Sequence, residues 1–286
     1  MKIDLIDVFP GRSLGGNPLA VVHGAEGLDE AAMLRLTRWL GFSETTFLLP
    51  PTDPQADYRV QIFFPAGELP FAGHPTLGSA YAWLAAGGVP KSAGTVVQEC
   101  GIGLVDVQTE GATAPARRLA FAAPALTRSG PLDEAERAEA IRLAGVAPEA
   151  VVEAVHVANG PKWQLLRLRS AADVLAARPA PEAPLGTDIG LAAPGEAGSG
   201  IDWELRAFFA NQHGSLTEDP VTGSFNAGVA VHLFGTGLVD GSYTAAQGRM
   251  VGAEGRIFVS RDESGVIWIG GDCAMISQGG ALTAFA

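Results

Sequence analysis

The sequence feature that most constrains the fold is a repeat. Residues 63 to 79 read Phe-Phe-Pro-Ala-Gly-Glu-Leu-Pro-Phe-Ala-Gly-His-Pro-Thr-Leu-Gly-Ser. A shift of 145 positions carries Phe63-Phe64 onto Phe208-Phe209, Pro75 onto Pro220 and Gly78-Ser79 onto Gly223-Ser224. Ala82 and Ala85 then fall on Ala227 and Ala230, giving seven identities in 23 ungapped positions. Composition alone gives roughly one or two. The shift is close to half of the 286 residues, so the whole chain reads as a duplication rather than as the carrier of a short motif. On this register His74 in the first copy corresponds to Asp219 in the second.

Both copies have the same local physics. A polar loop leads to a proline, which is favoured at the first helical position because its missing N–H costs nothing there. Asp219 suits the N-cap of the second helix. The bodies, Ser79 to Ala86 and Ser224 to Phe234, carry little charge on any face, which predicts buried helices. Gly87-Gly88 and Gly235 supply their stops. A buried helix with a polar loop at its N-terminus offers unpaired N–H groups and partial positive charge to an anion such as a carboxylate.

Around these helices the pattern is of short strands. Residues 3 to 9 and 18 to 23 form an opening hairpin with the glycine-rich tip Gly11 to Asn17. Asp29 caps a helix ending at Gly41, with Met33, Leu36, Trp39 and Leu40 at helical spacing. Val151 to Val157 and Trp163 to Leu168 repeat the hairpin, and Pro161 lies 143 positions after Pro18. An exposed helix runs from Asp133 to Ala144, and the tail from Gly271 to Phe285 reads as a last strand. Alternating βα units are absent, so an open parallel sheet does not fit. The expected class is α+β: two pseudo-symmetric domains, each a curled, mostly antiparallel sheet or barrel around a central helix. The boundaries are 1–125 and 126–286, with the last strand able to return to the N-terminal domain. The two helix N-termini are expected to face each other across the interdomain cleft, a common location for small-molecule sites.

The formal charge of −12 argues against nucleic acid and anionic membranes as partners. Cys100 and Cys273 are the only cysteines, too few for a disulfide framework or a metal-ligand pattern. The N-terminus alternates like a strand without a signal-peptide core, and no apolar run reaches the ~18 residues of a membrane span. A cytoplasmic protein is expected. Gly11 to Gly16 precedes a strand rather than a helix, so it fails the context test for dinucleotide binding.

Gly15-Gly-Asn-Pro-Leu-Ala-Val-Val22, Ser43-Glu-Thr-Thr46, Phe64-Pro65, Gly73-His-Pro75 and Glu218-Asp-Pro-Val-Thr-Gly-Ser224 resemble the motifs of the phenazine-biosynthesis isomerases, the PhzF-like family. They stand in the family's order and span nearly the whole chain. The resemblance implies the diaminopimelate-epimerase-like fold, a homodimer, and isomerisation by acid/base proton transfer without cofactor or metal. It implies that Glu44 carries the proton between carbons. His74 and Asp219 would hold the substrate and relay protons, and Gly73, Gly223 and Ser224 would bind it at the helix starts. Related racemases place a cysteine at each helix N-terminus, and this chain has none there. Phe225-Asn226 stands where many members have a small residue and a histidine, and Ala210 to Thr217 is a longer loop. Both departures would alter the pocket wall while leaving the acid/base set intact.

The residues themselves leave alternatives open. Glu44 reads equally as a turn carboxylate; as a base it should be partly desolvated, which raises a carboxylate pKa. His74 has the side chain best able to pass protons at neutral pH. Asp219 serves as cap or acid, and Ser224 as helix-start hydroxyl or carboxylate donor. Glu68 and Glu218 read as rim charges. Histidines 23, 156 and 232 read as structural, and His213 stands out because it lies in the long loop. The function expected is a cofactor-independent isomerase for a small carboxylate-bearing substrate. A racemase, epimerase or dehydratase of the same fold and a non-catalytic metabolite-binding protein are the alternatives.

Overall fold

The structure, a computed structural model, describes residues 1–110 and 117–284. The chain divides into two compact units, Met1–Ala122 with Gly270–Ala286 and Ala123–Ile269. The first contains β1 (Lys2–Val8), β2 (Asn17–His23), α1 (Glu30–Leu40), β3 (Thr45–Leu49), β4 (Tyr58–Phe64), β5 (Gly67–Leu69), α2 (Gly73–Ala85), β6 (Thr95–Cys100), β7 (Gly103–Glu110) and β8 (Arg117–Ala122). The second contains β9 (Arg128–Pro131), α3 (Glu134–Ala144), β10 (Val151–Ala158), β11 (Gln164–Leu168), α4 (Ala171–Ala176) and β12 (Asp188–Pro194). It continues with β13 (Trp203–Ala210), β14 (Leu216–Asp219), α5 (Gly223–Gly235), β15 (Ser242–Gln247), β16 (Gly255–Arg261) and β17 (Ile267–Ala281), whose later residues join the first unit. Phe285, assigned to a tail strand from the sequence, lies outside the described residues.

The duplication is visible strand by strand. In the first unit β1–β2, β3–β4, β4–β5 and β6–β7 pair antiparallel, while β2–β3 and β4–β6 pair parallel. The second unit repeats this in β10–β11, β12–β13, β13–β14 and β15–β16, with β11–β12 and β13–β15 parallel. In the first unit β17 pairs antiparallel with β1, and β8 also pairs with β17, so the sheet closes on itself. The class is α+β, with each curled, mostly antiparallel sheet wrapped on one apolar helix.

Closure explains why α2 has no polar face, and α5 is likewise buried along most of its length. Helix α2 packs against β1, β2, β3, β6, β7 and β8, and every residue from Gly73 to Ala82 is buried. The approach is close: a Cβ on Gly78 would sit 2.5 Å from Leu19 Cδ2 and 2.9 Å from Val8 Cγ2. In the second unit a Cβ on Gly228 would sit 2.4 Å from the Val157 carbonyl oxygen, so α5 lies directly on β10.

The register differs from the sequence reading at the helices. Ile62 pairs with Leu69 and Ala207 with Asp219, so the strands β4 and β13 do correspond at a shift of 145. Phe64 pairs with Gly67 across a two-residue turn, but Phe209 pairs with Thr217, seven residues being enclosed. These five extra residues move the helix start from Gly73 to Gly223, a shift of 150. The structural counterpart of His74 is therefore Ser224, and that of Asp219 is Leu69. Pro75 is third in its helix, whereas Pro220 precedes α5. Proline is tolerated at the third position because the first-turn N–H groups have no intrahelical acceptor.

The surface helices follow their local signals. Asp29 caps α1, and Asp133 with Glu136 forms a reciprocal capping box on α3. Trp39, placed on the packed face from its spacing, is instead 82% exposed; Ala32, Met33, Leu36 and Thr37 form that face. By order and pairing the counterpart of α1 is the short α4, so α3 is an addition to the second unit.

Candidate active site

In the first unit the start of α2 is held by buried polar side chains. Ser79 Oγ donates to Thr46 Oγ1 at 2.9 Å, tying α2 to β3 two residues beyond Glu44. On the same helical face Thr76 Oγ1 accepts from Gln98 Nε2 at 3.1 Å, and Gln98 Oε1 accepts from Tyr58 at 2.8 Å. Burial pushes the Tyr58 hydroxyl well above its ordinary pKa, so it remains a donor. No side chain caps the N-terminus of α2, since Ala72 occupies that position.

At this N-terminus the structure brings Glu44 and His74 together. Glu44 Oε2 lies 3.4 Å from His74 Nε2, the carboxylate side chain being 18% and the imidazole 5% exposed. On the other side of the ring Asn17 Nδ2 lies 3.4 Å from Nδ1. Burial lowers the His74 pKa from 6.5 to about 3, so the ring is neutral at physiological pH. His74 does not titrate near neutrality, so its chemistry is that of a hydrogen-bonding neutral imidazole.

In the second unit Asp219 ends β14 and is not the N-cap of α5. Thr222 holds that position, and its hydroxyl donates to Asp219 Oδ2 at 2.6 Å. The buried Gln247 of β15 laces the turn together. Its Nε2 donates to the Asp219 carbonyl at 3.1 Å and to Thr222 Oγ1 at 2.9 Å, while its Oε1 accepts from Asn226 at 2.8 Å. Gly223 and Ser224 are the first two residues of α5. Ser224 Oγ accepts from Trp163 Nε1 at 3.0 Å, and its carbonyl accepts from Asn159 Nδ2 at 2.9 Å. Because Trp163 can only donate, the Ser224 hydroxyl hydrogen is available to a ligand oxygen.

Other expectations are altered here. Phe225 is fully buried, its ring 5.2 Å from that of Trp163 and pressed on Gly190, where a Cβ would meet it at 2.0 Å. With Asn226 in the Gln247 network, both residues have structural work and neither is an open pocket wall. Glu218 is no rim charge. It forms a bidentate pair with the buried Arg206, at 2.7 and 3.0 Å, and Arg206 also donates to the carbonyls of Val174 and Ala177. Glu68 is exposed, as read from the sequence. His23, His156 and His232 each pair with a carboxylate, of Asp4, Glu136 and Glu153. His213 sits exposed in the β13–β14 loop beside Gln212. Cys100 lies in β6 and Cys273 in β17, and burial raises both thiol pKa values, so neither stands at a helix start as a thiolate.

Sequence reasoning missed Asn17, Gln98, Trp163 and Gln247. Asn17 and Trp163 lay in stretches already singled out, but their partners are 57 and 61 positions away. Among the described residues no cluster of metal-ligating side chains occurs.

Comparison with known proteins gives a consistent result. A family model described as phenazine biosynthesis-like protein (PhzC-PhzF) matches residues 6–279. The chain is 32% identical over 292 residues to antisense-enhancing sequence 1 of Schizosaccharomyces pombe, covering 96% of each. It is 34% identical over 230 residues to a trans-2,3-dihydro-3-hydroxyanthranilate isomerase of Pseudomonas aeruginosa, covering 80% of this chain and 78% of that one. A solved structure described as a predicted epimerase from Pseudomonas aeruginosa superposes with a TM-score of 0.79 at 27% identity, covering 99% of each chain.

Proposed function

The chain belongs to the phenazine biosynthesis-like (PhzC-PhzF) family of isomerases and epimerases, and on that premise we propose that it moves a proton, without a cofactor, on a small carboxylate-bearing substrate. The observation that carries this reading is the Glu44–His74 pair at the uncapped N-terminus of a buried helix. Glu44 takes a proton from a carbon of the substrate and returns it to another carbon, so the isomerisation is balanced without a redox partner. The His74 ring, neutral and buried, presents Nε2 to the Glu44 carboxylate at 3.4 Å and so positions that carboxylate. The α2 N-terminus, with its unpaired N–H groups, favours the substrate's carboxylate.

Asp219, Gly223 and Ser224 are proposed as further site residues on the family resemblance. Asp219 is the acid that relays the proton, and Ser224 donates its hydroxyl hydrogen to substrate oxygen. The two cysteines, in β6 and β17 rather than at a helix start, speak against a two-cysteine racemase. Trans-2,3-dihydro-3-hydroxyanthranilate, named for the Pseudomonas relative, heads the substrates to try, followed by cyclic amino and hydroxy acids. A homodimer is proposed from the family resemblance, and a cytoplasmic location from the sequence pattern; among the described residues no helix is long and apolar enough to cross a membrane.

The test is solvent deuterium incorporation into these carbon acids, read by mass spectrometry and NMR. Incorporation at one carbon with isomer formation supports the proposal. Tight binding of a metabolite with no exchange at any carbon would instead favour the non-catalytic binding reading.

A further inference from the structure

The loop between β1 and β2 is held in an unusual conformation, and its last contact is with the His74 ring. Phe9 and Leu14 both have positive φ, 63° and 58°, a costly backbone for residues with a Cβ. The buried carboxylate of Asp7 organises the tip, accepting from the backbone N–H of Gly16 at 2.8 Å and of Gly15 at 3.2 Å. The approach is so close that a Cβ on Gly16 would sit 2.1 Å from the Val8 carbonyl oxygen and 2.5 Å from Asp7 Oδ1. The next residue is Asn17, fully buried, with Nδ2 3.4 Å from His74 Nδ1.

An amide nitrogen only donates, so the contact requires a lone pair on Nδ1. The one ring proton of a neutral imidazole then belongs to Nε2, which is the nitrogen 3.4 Å from Glu44 Oε2. The second unit has a similar device, in which Trp163, just ahead of β11, donates to the side chain of Ser224, second in α5. In both units a donor at the start of the hairpin's return strand sets the second residue of the central helix.

We propose that Asn17, seated by Asp7 through the Gly15–Gly16 backbone, is a positioning residue that fixes His74 as the Nε2–H tautomer directed at Glu44. Its consequence for turnover rests on the proton transfer proposed for Glu44. The tautomer itself does not, and the two are separable by experiment.

The full-length protein is labelled with ¹⁵N-histidine, and two-bond ¹H–¹⁵N ring spectra are recorded at pH 7.5, with His74→Gln identifying the His74 signals. The wild type shows the proton on Nε2. In Asn17→Asp the new carboxylate accepts from the ring, and the proton moves to Nδ1. Asn17→Ala gives a mixture. Deuterium incorporation by Asn17→Asp falls about 10²-fold with KM little changed, the loss typical of a misaligned reacting group. A wild-type ring carrying its proton on Nδ1 would overturn the proposal without any variant having to fold. A folded Asn17→Asp protein with an unchanged ring spectrum, or with a switched tautomer and undiminished exchange, would also overturn it. If no substrate exchanges but the tautomer switches as described, the positioning holds and the proposed catalysis fails.

Discussion

Burial of His74 has a cost that acid should expose. The folded ring protonates at about 3 and the unfolded ring at 6.5. A histidine with a lowered folded pKa contributes its stability above pH 6.5, and that contribution is lost as pH falls toward 3. Each unit is worth ~1.4 kcal/mol, so about 2 kcal/mol has gone by pH 5. His74→Gln removes the titrating group while keeping a planar polar side chain. The assay is urea unfolding of wild type and variant at pH 7.5, 6.5, 5.5 and 5, followed in the first unit by amide exchange of α2. The difference between the proteins cancels the background from the other histidines and the carboxylates. The wild type's advantage should shrink by about 2 kcal/mol between pH 7.5 and 5. A difference that stays constant, or that grows in acid, would mean that Glu44 holds an imidazolium, and the neutral-ring account of the site would be wrong.

Burial raises the Glu204 pKa from 4.5 to about 7, against the opposing charges of Arg249 and Arg256. A raised acid contributes stability below pH 4.5 that is lost as pH rises through 7, so Glu204→Gln should gain ~3 kcal/mol on the wild type between pH 4.5 and 8 in unfolding titrations. Gly78→Ala forces a methyl against Leu19 and Val8; calorimetry should show it destabilised by about 1–3 kcal/mol. Asp219→Asn keeps a group that can accept from Thr222 but cannot relay a proton; its kcat should fall with KM nearly unchanged. A raised KM with kcat unchanged would reduce Asp219 to substrate binding.

The sequence shows the duplication most plainly where both copies use the same backbone geometry. Phe63-Phe64 and Phe208-Phe209 end matching strands, and the two helix bodies are apolar because sheet covers them. The slip from 145 to 150 is hidden because the extra residues lie inside one hairpin, while Pro220 keeps a chance match to Pro75. Strand β12 has no β-branched residue beyond Ile189, and Gly190 is there to admit the Phe225 ring. Its composition therefore reads as loop.

Family motifs singled out Glu44 and His74, but not the state of the ring. That state depends on burial by elements distant in sequence and on the Asn17 contact. Glu218 looked like a surface charge because its partner Arg206 lies across a hairpin. Polar residues at the helix starts are legible as residue types; the partners that orient them are a product of closure.

The central claim is that Glu44 carries the proton. The direct measurement compares Glu44→Gln with wild type in deuterium incorporation and in equilibrium binding of the same carboxylate substrate. The account predicts a loss of exchange of about 10²–10⁴-fold with binding nearly preserved, because Gln keeps the shape and removes the base. Exchange that survives the substitution, or falls only as far as binding does, would contradict it.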